Sequence, residues 1–245
     1  MASRFAAAFQ LLTALPLFAK RELAPRDLAR SMGAFPLVGL ALGAGLVAAH
    51  RLVGFRLPGP LEGVVLAGLL AWAMGALHLD GLADTADGLA GGWTRERALE
   101  IMKDSRTGPV GAAALCLVLL AKAMGMGLLA EGTKDLGLLL TPAVARGSVV
   151  WLTFRSTYAR AVPGLGTPYT EHLDRATVGR AIFWAGLPCV LLGWVGLAAF
   201  GLTLVYARWL RGFAHRRFGG ITGDVMGFAV ETGEVLFLVA LHALG

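Results

Sequence analysis

GALHLDGLADTADGLAGGWTRERALEIMKDSRTGPVG, residues 75 to 111, is a polar island in an otherwise oily chain, and its reading decides where that chain is able to cross a bilayer. Three acids come first, Asp80, Asp84 and Asp87, and the cluster Lys103, Asp104, Ser105 and Arg106 follows. Helical residues advance by about 100° each, so offsets of four and seven place the three carboxylates within an arc of roughly 60° on one face. Like charges four apart repel, which makes the stripe costly unless something positive sits among them. A divalent cation is the simplest partner. Mg²⁺ takes oxygen ligands, usually one or two carboxylates with waters and substrate phosphates, so a metal-bridged pyrophosphate is the first chemistry the stripe suggests.

Outside the island the composition is that of a membrane protein. Of 245 residues, 56% are hydrophobic and 16% charged, where a soluble domain carries about 25% charged residues. Several apolar runs approach the roughly 20 residues a helix needs to span a bilayer core. The expectation is one membrane-embedded catalytic domain over residues 1–245, an all-α polytopic helical bundle of about six or seven spans. The excess of 22 Lys and Arg over 16 Asp and Glu is then a cytoplasmic-loop signature, not a nucleic-acid one. Cys116 and Cys189 both lie in apolar runs without CxxC spacing, which suggests neither zinc nor a disulfide framework.

Taken in order, the run from Phe5 to Phe18 carries Phe5, Phe9, Leu12 and Leu15 on one helical stripe that Pro16 ends. It is read as a retained interfacial helix, not a cleaved signal. Lys20, Arg21, Arg26 and Arg30 precede a span over 33–53, which places the N-terminus in the cytoplasm. A second span over 61–79 returns at His78 and Asp80. His78 stands about 160° from Asp80 on a helix, so it reads as a structural residue rather than a fourth ligand. Gly91 and Gly92 break the acidic helix, and Thr94 is a natural N-cap for a short helix ending near Lys103. Gly108 and Gly111 open a third span to about residue 129, and a fourth runs to about 154 with Arg146 inside it. A charge there costs at least about 2.5 kcal/mol, which favours Arg146 facing the bundle interior or a polar cavity over an Arg snorkelling from a tilted or shorter span. The basic loop 155–180 belongs in the cytoplasm. From 181 to 217 the charge rule asks for two passes, either a second arm running through Arg208 or a re-entrant hairpin turning near Gly193 or Gly196. A last span covers about 225–244.

A second polar island, GGITGDVMGFAVETGE at 219 to 234, precedes and enters that last span. Gly219, Gly220 and Gly223 are placed to expose backbone N–H groups to a phosphate before a helix start, with Thr222 as cap and Asp224 as a further ligand. Glu231 and Glu234 lie in apolar surroundings, either binding metal or pairing with Arg146.

The motifs LHLDGLADTADGL (77–89), ALEIMKDSRTGPVG (98–111) and GGITGDVMG (219–227), in that order within polytopic sequence, resemble the cobalamin synthase family, the membrane adenosylcobinamide-GDP ribazoletransferases. FQLLTALPLF (9–18) and AFPLVGLALG (34–43) extend the resemblance over essentially the whole chain, although Ala14 stands where the family often has a basic residue. The resemblance implies that a hydroxyl of alpha-ribazole, or of its 5′-phosphate, attacks adenosylcobinamide-GDP and releases GMP, with Mg²⁺ as the needed ion. It implies a multi-pass protein of the cell inner membrane whose active site faces the cytoplasm, in contact with lipid and compatible with a homo-oligomer. Displacement at a pyrophosphate builds charge that carboxylate-held metal, Lys and Arg stabilise. The expected assignment is Asp80, Asp84 and Asp87 to metal and Lys103, Ser105, Arg106, Gly219, Gly220, Thr222 and Gly223 to phosphate. Asp104 and Asp224 are then further ligands or the base. Two rivals remain at this level: a CDP-alcohol phosphotransferase, whose usual acid spacing is not matched, and a cation transporter, which needs acids nearer the membrane midplane.

Overall fold

The computed structural model describes residues 2–18, 23–164 and 166–245; Lys20 and Arg21, which contribute to the orientation argument, lie outside the described residues. Two short helices, α1 (Ala2–Leu12) and α2 (Pro25–Ser31), precede the long α3 (Phe35–Val53). Then come α4 (Gly59–Ala73), α5 (Leu77–Gly91), α6 (Arg95–Ile101), α7 (Pro109–Gly127) and α8 (Glu131–Thr153). A loop carrying α9 (Thr167–His172) leads to α10 (Arg175–Gly186), α11 (Gly193–Phe218) and α12 (Gly223–Leu244). Among the described residues, five stretches are long and apolar enough to cross a bilayer, and α4 with α5 adds a sixth if that bent pair is one broken span. The protein is a polytopic helical bundle.

Small residues set how the spans pack. Gly39 and Gly43, four apart on α3, lie against Ala143 and Leu139 of α8, and a Cβ at either would come within 2.5 or 2.2 Å of that helix's backbone. The falling numbers on one side against the rising ones on the other make the pair antiparallel. Gly59 and Gly63 repeat the device on α4 against Gly127 and Ala123 of α7. With little hydrophobic drive between helices in lipid, such backbone contact is what holds them. A Cβ on Gly63 would stand 1.8 Å from the Ala123 carbonyl oxygen. Gly63→Ala therefore forces α4 and α7 apart and is expected to lower stability by about 1–3 kcal/mol in denaturant unfolding of the detergent-solubilised protein; wild-type stability would mean the two helices slide freely.

The run from 175 to 218 folds back on itself. Gly193 takes φ +61°, and a Cβ on Gly186 would lie 2.7 Å from the Phe200 ring. In a straight helix those residues would be about 21 Å apart. The turn falls at Gly193, and the return arm continues through Arg208 to Phe218.

Two expectations shift. The N-terminal helix stops at Leu12, not Pro16, because the Ala14 N–H leaves the helical ladder and donates to the Ala73 carbonyl of α4. The second span, expected over 61–79, ends at Ala73, where the chain bends by 94° into α5.

Candidate active site

The chain breaks after α4 at Met74, with Gly75 and Ala76 both at positive φ, and α5 leaves at 94° to α4. Ala76 has no glycine's freedom, so its left-handed backbone is held by the surrounding packing. This bend carries the acidic stripe under the bundle and against the start of α12. A Cβ on Gly81 would stand 2.8 Å from the Asp224 backbone, and one on Gly227 would stand 3.1 Å from the His78 carbonyl. Two polar islands more than a hundred residues apart thus meet through glycines. Only the absence of side chains there lets α5 and α12 touch at this level.

Asp80 and Asp224 line one cavity of about 320 Å³, together with Arg160, Tyr158 and Gly223. Asp84, one turn along α5 and partly buried, feels the negative charges of Asp80, Asp224 and Asp87 and the positive charge of Arg160. Arg160 bridges the islands: its Nη2 donates to Asp224 Oδ2 at 2.7 Å and to the Met102 carbonyl at 3.1 Å. The Thr222 hydroxyl donates to the same Asp224 oxygen at 3.1 Å and accepts from the Val225 N–H at 3.2 Å, so Thr222 is the cap of α12 as expected. Asp224 Oδ2 is held, and no hydrogen bond to Oδ1 is seen among the described residues.

Asp87 stands apart from this cluster. Its two oxygens accept the Gly108 and Gly111 N–H groups at 2.6 and 2.8 Å, and a Cβ on either glycine would collide with the carboxylate. A carboxylate on the first N–H groups of α7 is what the helix dipole favours. This acid anchors a span, a role its place on the stripe did not distinguish from metal binding.

Asp104 also differs from its expected placement. It lines a second, outer cavity with Asp87 and Arg106, and it is paired with Arg106 at 2.6 Å. Hydrogen bonds from the Arg106 guanidinium and backbone N–H hold the carboxyl down to about 2. A group so acidic is a weak general base near neutrality. Arg106 is likewise spent on Asp104, while Lys103 and Ser105 are exposed on the same loop. The Arg160 bond to the Met102 carbonyl ties the loop to the first cavity.

The glycine turn is not an open phosphate cradle along its full length. Gly219, at φ +75°, ends α11 against the Arg95 guanidinium. Gly220 packs on Thr157, and the Ile221 N–H donates to the Thr157 carbonyl at 2.9 Å. Gly223 alone of the three has open space beside it and lines the cavity.

Deeper in the bundle, Glu234 takes Arg146 at 2.7 Å and Lys122 at 2.5 Å, and Glu231 takes Lys122 at 2.9 Å, all four side chains fully or nearly fully buried. Of the two readings left open for these acids, the structure shows pairing, with Lys122 as a second cation.

A helical membrane protein with a cavity walled by carboxylates and one bridging arginine, at one end of its bundle, is the class that fold and site define. The family model for cobalamin-5-phosphate synthase matches residues 4–242. A Syntrophobacter fumaroxidans protein named adenosylcobinamide-GDP ribazoletransferase is 41% identical over 98% of both chains. Proteins of the same name from Pseudomonas putida and Geotalea daltonii are 43% identical over 98% of both chains, and 40% identical over 97% of this chain and 96% of the relative. No solved structure matches the chain. The chain belongs to the cobalamin-5-phosphate synthase family.

Proposed function

We propose that this protein transfers the adenosylcobinamide phosphate of adenosylcobinamide-GDP to a hydroxyl of alpha-ribazole, or of its 5′-phosphate, and releases GMP. The observation that carries the reading, beside family membership, is the meeting of Asp80 and Asp84 with Asp224 across Gly81. A diphosphate there would lie between carboxylates and the Arg160 guanidinium. Carboxylate oxygens are the donors Mg²⁺ takes, yet among the described residues no three acids, histidines or cysteines converge to hold a metal alone. That suits an ion whose remaining ligands are diphosphate oxygens and water. Asp80 and Asp84 would hold the ion, which when bound neutralises charge developing on the phosphate oxygens.

In this proposal Asp224, fixed through Oδ2 by Arg160 and Thr222, offers Oδ1 to the proton of the attacking hydroxyl. The Gly223 N–H at the start of α12 and the Arg160 guanidinium face the transferred phosphate. Arg26, Arg30, Arg155, Arg216 and Arg217 flank the helix ends nearest this site, which supports a cytoplasm-facing cavity in the inner membrane.

Purified protein in detergent, given adenosylcobinamide-GDP, is expected to release GMP only when alpha-ribazole and Mg²⁺ are both present, and chelation should stop it. Release of GMP without the nucleoside, or of CMP from a CDP-alcohol, would overturn the reading.

A further inference from the structure

The cavity that contains Asp80 and Asp224 has another wall, made by Leu12, Met32, Phe35, Val149 and Tyr169. The Phe35 and Tyr169 rings meet edge to face, centroids 6.2 Å apart and planes at 62°. Among the described residues, three that line the same cavity carry buried polar atoms without a hydrogen-bond partner: Arg160 Nε, on the arginine already bound to Asp224, and, beside the apolar wall, Tyr169 Oη, in a residue 4% exposed, and His78 Nδ1, in one 6% exposed. Unpaired buried polar atoms are costly, on the order of 1–3 kcal/mol each, and in native structures they mark a partner that arrives from outside. Burial pushes the Tyr169 phenol up, so it keeps its proton and stays a donor at working pH.

We infer that this wall is the subsite for the heteroaromatic base of the acceptor nucleoside, with Tyr169 donating to its free ring nitrogen. The inference rests on the proposed function above. Volume supports it first: about 320 Å³ lies at the low end of small-ligand pockets, enough for a nucleoside and far too little for a corrinoid macrocycle, which must stay outside the cavity. Polarity supports it next. Guanine, the other base in the reaction, presents donors and acceptors along most of its edge, and an apolar wall that offers it Tyr169 Oη and His78 Nδ1, with Arg160 taken up by Asp224, leaves most of these unpaired. A benzimidazole has one free ring nitrogen and otherwise apolar edges. His78, two residues before Asp80 on α5, is then within the same cavity to meet a ribose hydroxyl. Sites that hydrogen-bond a substrate atom reject analogues lacking it more strongly than apolar walls reject a missing methyl.

Tyr169→Phe removes one oxygen and keeps the ring packing against Phe35, so folding is preserved. Steady-state kinetics with each substrate varied in turn are expected to show the KM for alpha-ribazole raised about 3- to 10-fold, the loss of one neutral hydrogen bond. The KM for adenosylcobinamide-GDP and kcat should stay within twofold. An unchanged alpha-ribazole KM overturns the inference, and a rise confined to adenosylcobinamide-GDP assigns the wall to guanine instead. Equilibrium dialysis of alpha-ribazole alone against wild type and Tyr169→Phe separates the two levels. If wild type turns nothing over, the proposed function fails, while weaker nucleoside binding in the variant still supports the subsite; equal binding, as when a lipid chain fills the wall, overturns it.

Discussion

Asp84→Asn is expected to cut GMP release at least about a hundredfold while leaving the unfolding transition of the detergent-solubilised protein in place. Removing one group that stabilises charge in a transition state typically costs 10²–10³ in rate, and Asn keeps the volume of Asp while taking away its charge. Asp84 is the right acid to test because it sits between the others: Asp80 and Asp224 act on it from the cavity side and Asp87 from the α7 side. Three like charges around one partly buried carboxylate, with Arg160 as the opposing cation, make a locus where a doubly charged ion gains most. The neutral variant should also be slightly easier to fold without Mg²⁺, since it relieves that repulsion. Asp104→Asn is the control. Its carboxylate is solvent-facing and paired to Arg106 in its own loop, an arrangement that contributes little, so turnover within about threefold of wild type is expected. Normal turnover in Asp84→Asn would remove the metal assignment, and a large loss in Asp104→Asn would move the chemistry to the outer cavity.

How much of this was readable in advance follows from what leaves a periodic or local trace. The acidic stripe was legible because helical spacing is a property of sequence alone, and the caps Thr94 and Thr222 because a cap acts within three residues. The inward turn of Arg146 followed from the cost of a charge in an apolar run. The same argument applied to Lys122, which stands inside the third span among alanines and leucines, would have flagged it too; that signal was present and unused. The hairpin at Gly193 was legible from charge balance, since a single pass strands Arg208 to Arg217 on the wrong side. What could not be read is which of three equivalent carboxylates serves the helix. Asp87 differs from Asp80 and Asp84 only in meeting the Gly108 and Gly111 N–H groups, a contact made 21 and 24 residues away. Arg160 and Tyr169 belong to a loop with no motif, and their partners Asp224 and Phe35 are 64 and 134 positions distant. The open phosphate cradle expected at 219–223 shrank to Gly223 for a similar reason, because the Tyr158–Ile221 bridge consumes the turn that precedes it.

Lys122→Met should destabilise the protein by about 3–5 kcal/mol, the usual loss when one partner of a buried charge pair is deleted and the other is left without compensation. Lys122 is 1% exposed, and its ammonium lies 2.9 Å from Glu231 and 2.5 Å from Glu234. Without it, two carboxylates one turn apart on α12 share a low-dielectric interior with Arg146 as the cation beside them, and the Arg146 Nη1 that reaches Glu234 is shared with the Pro142 carbonyl. The network crosses α7, α8 and α12, and α12 carries Asp224 at its first turn, so loosening it should disturb the cavity floor as well as the bundle. The charge argument makes a sharper demand than loss of stability, because any disruptive core change lowers stability. Lys122→Met with Glu231→Gln leaves Arg146 and Glu234 as a neutral pair at 2.7 Å and replaces the ammonium by an apolar chain of similar length. If uncompensated charge is the cause, the double variant recovers most of the lost stability in denaturant unfolding. If packing is the cause, adding the second substitution leaves the midpoint where Lys122→Met put it, or lowers it further.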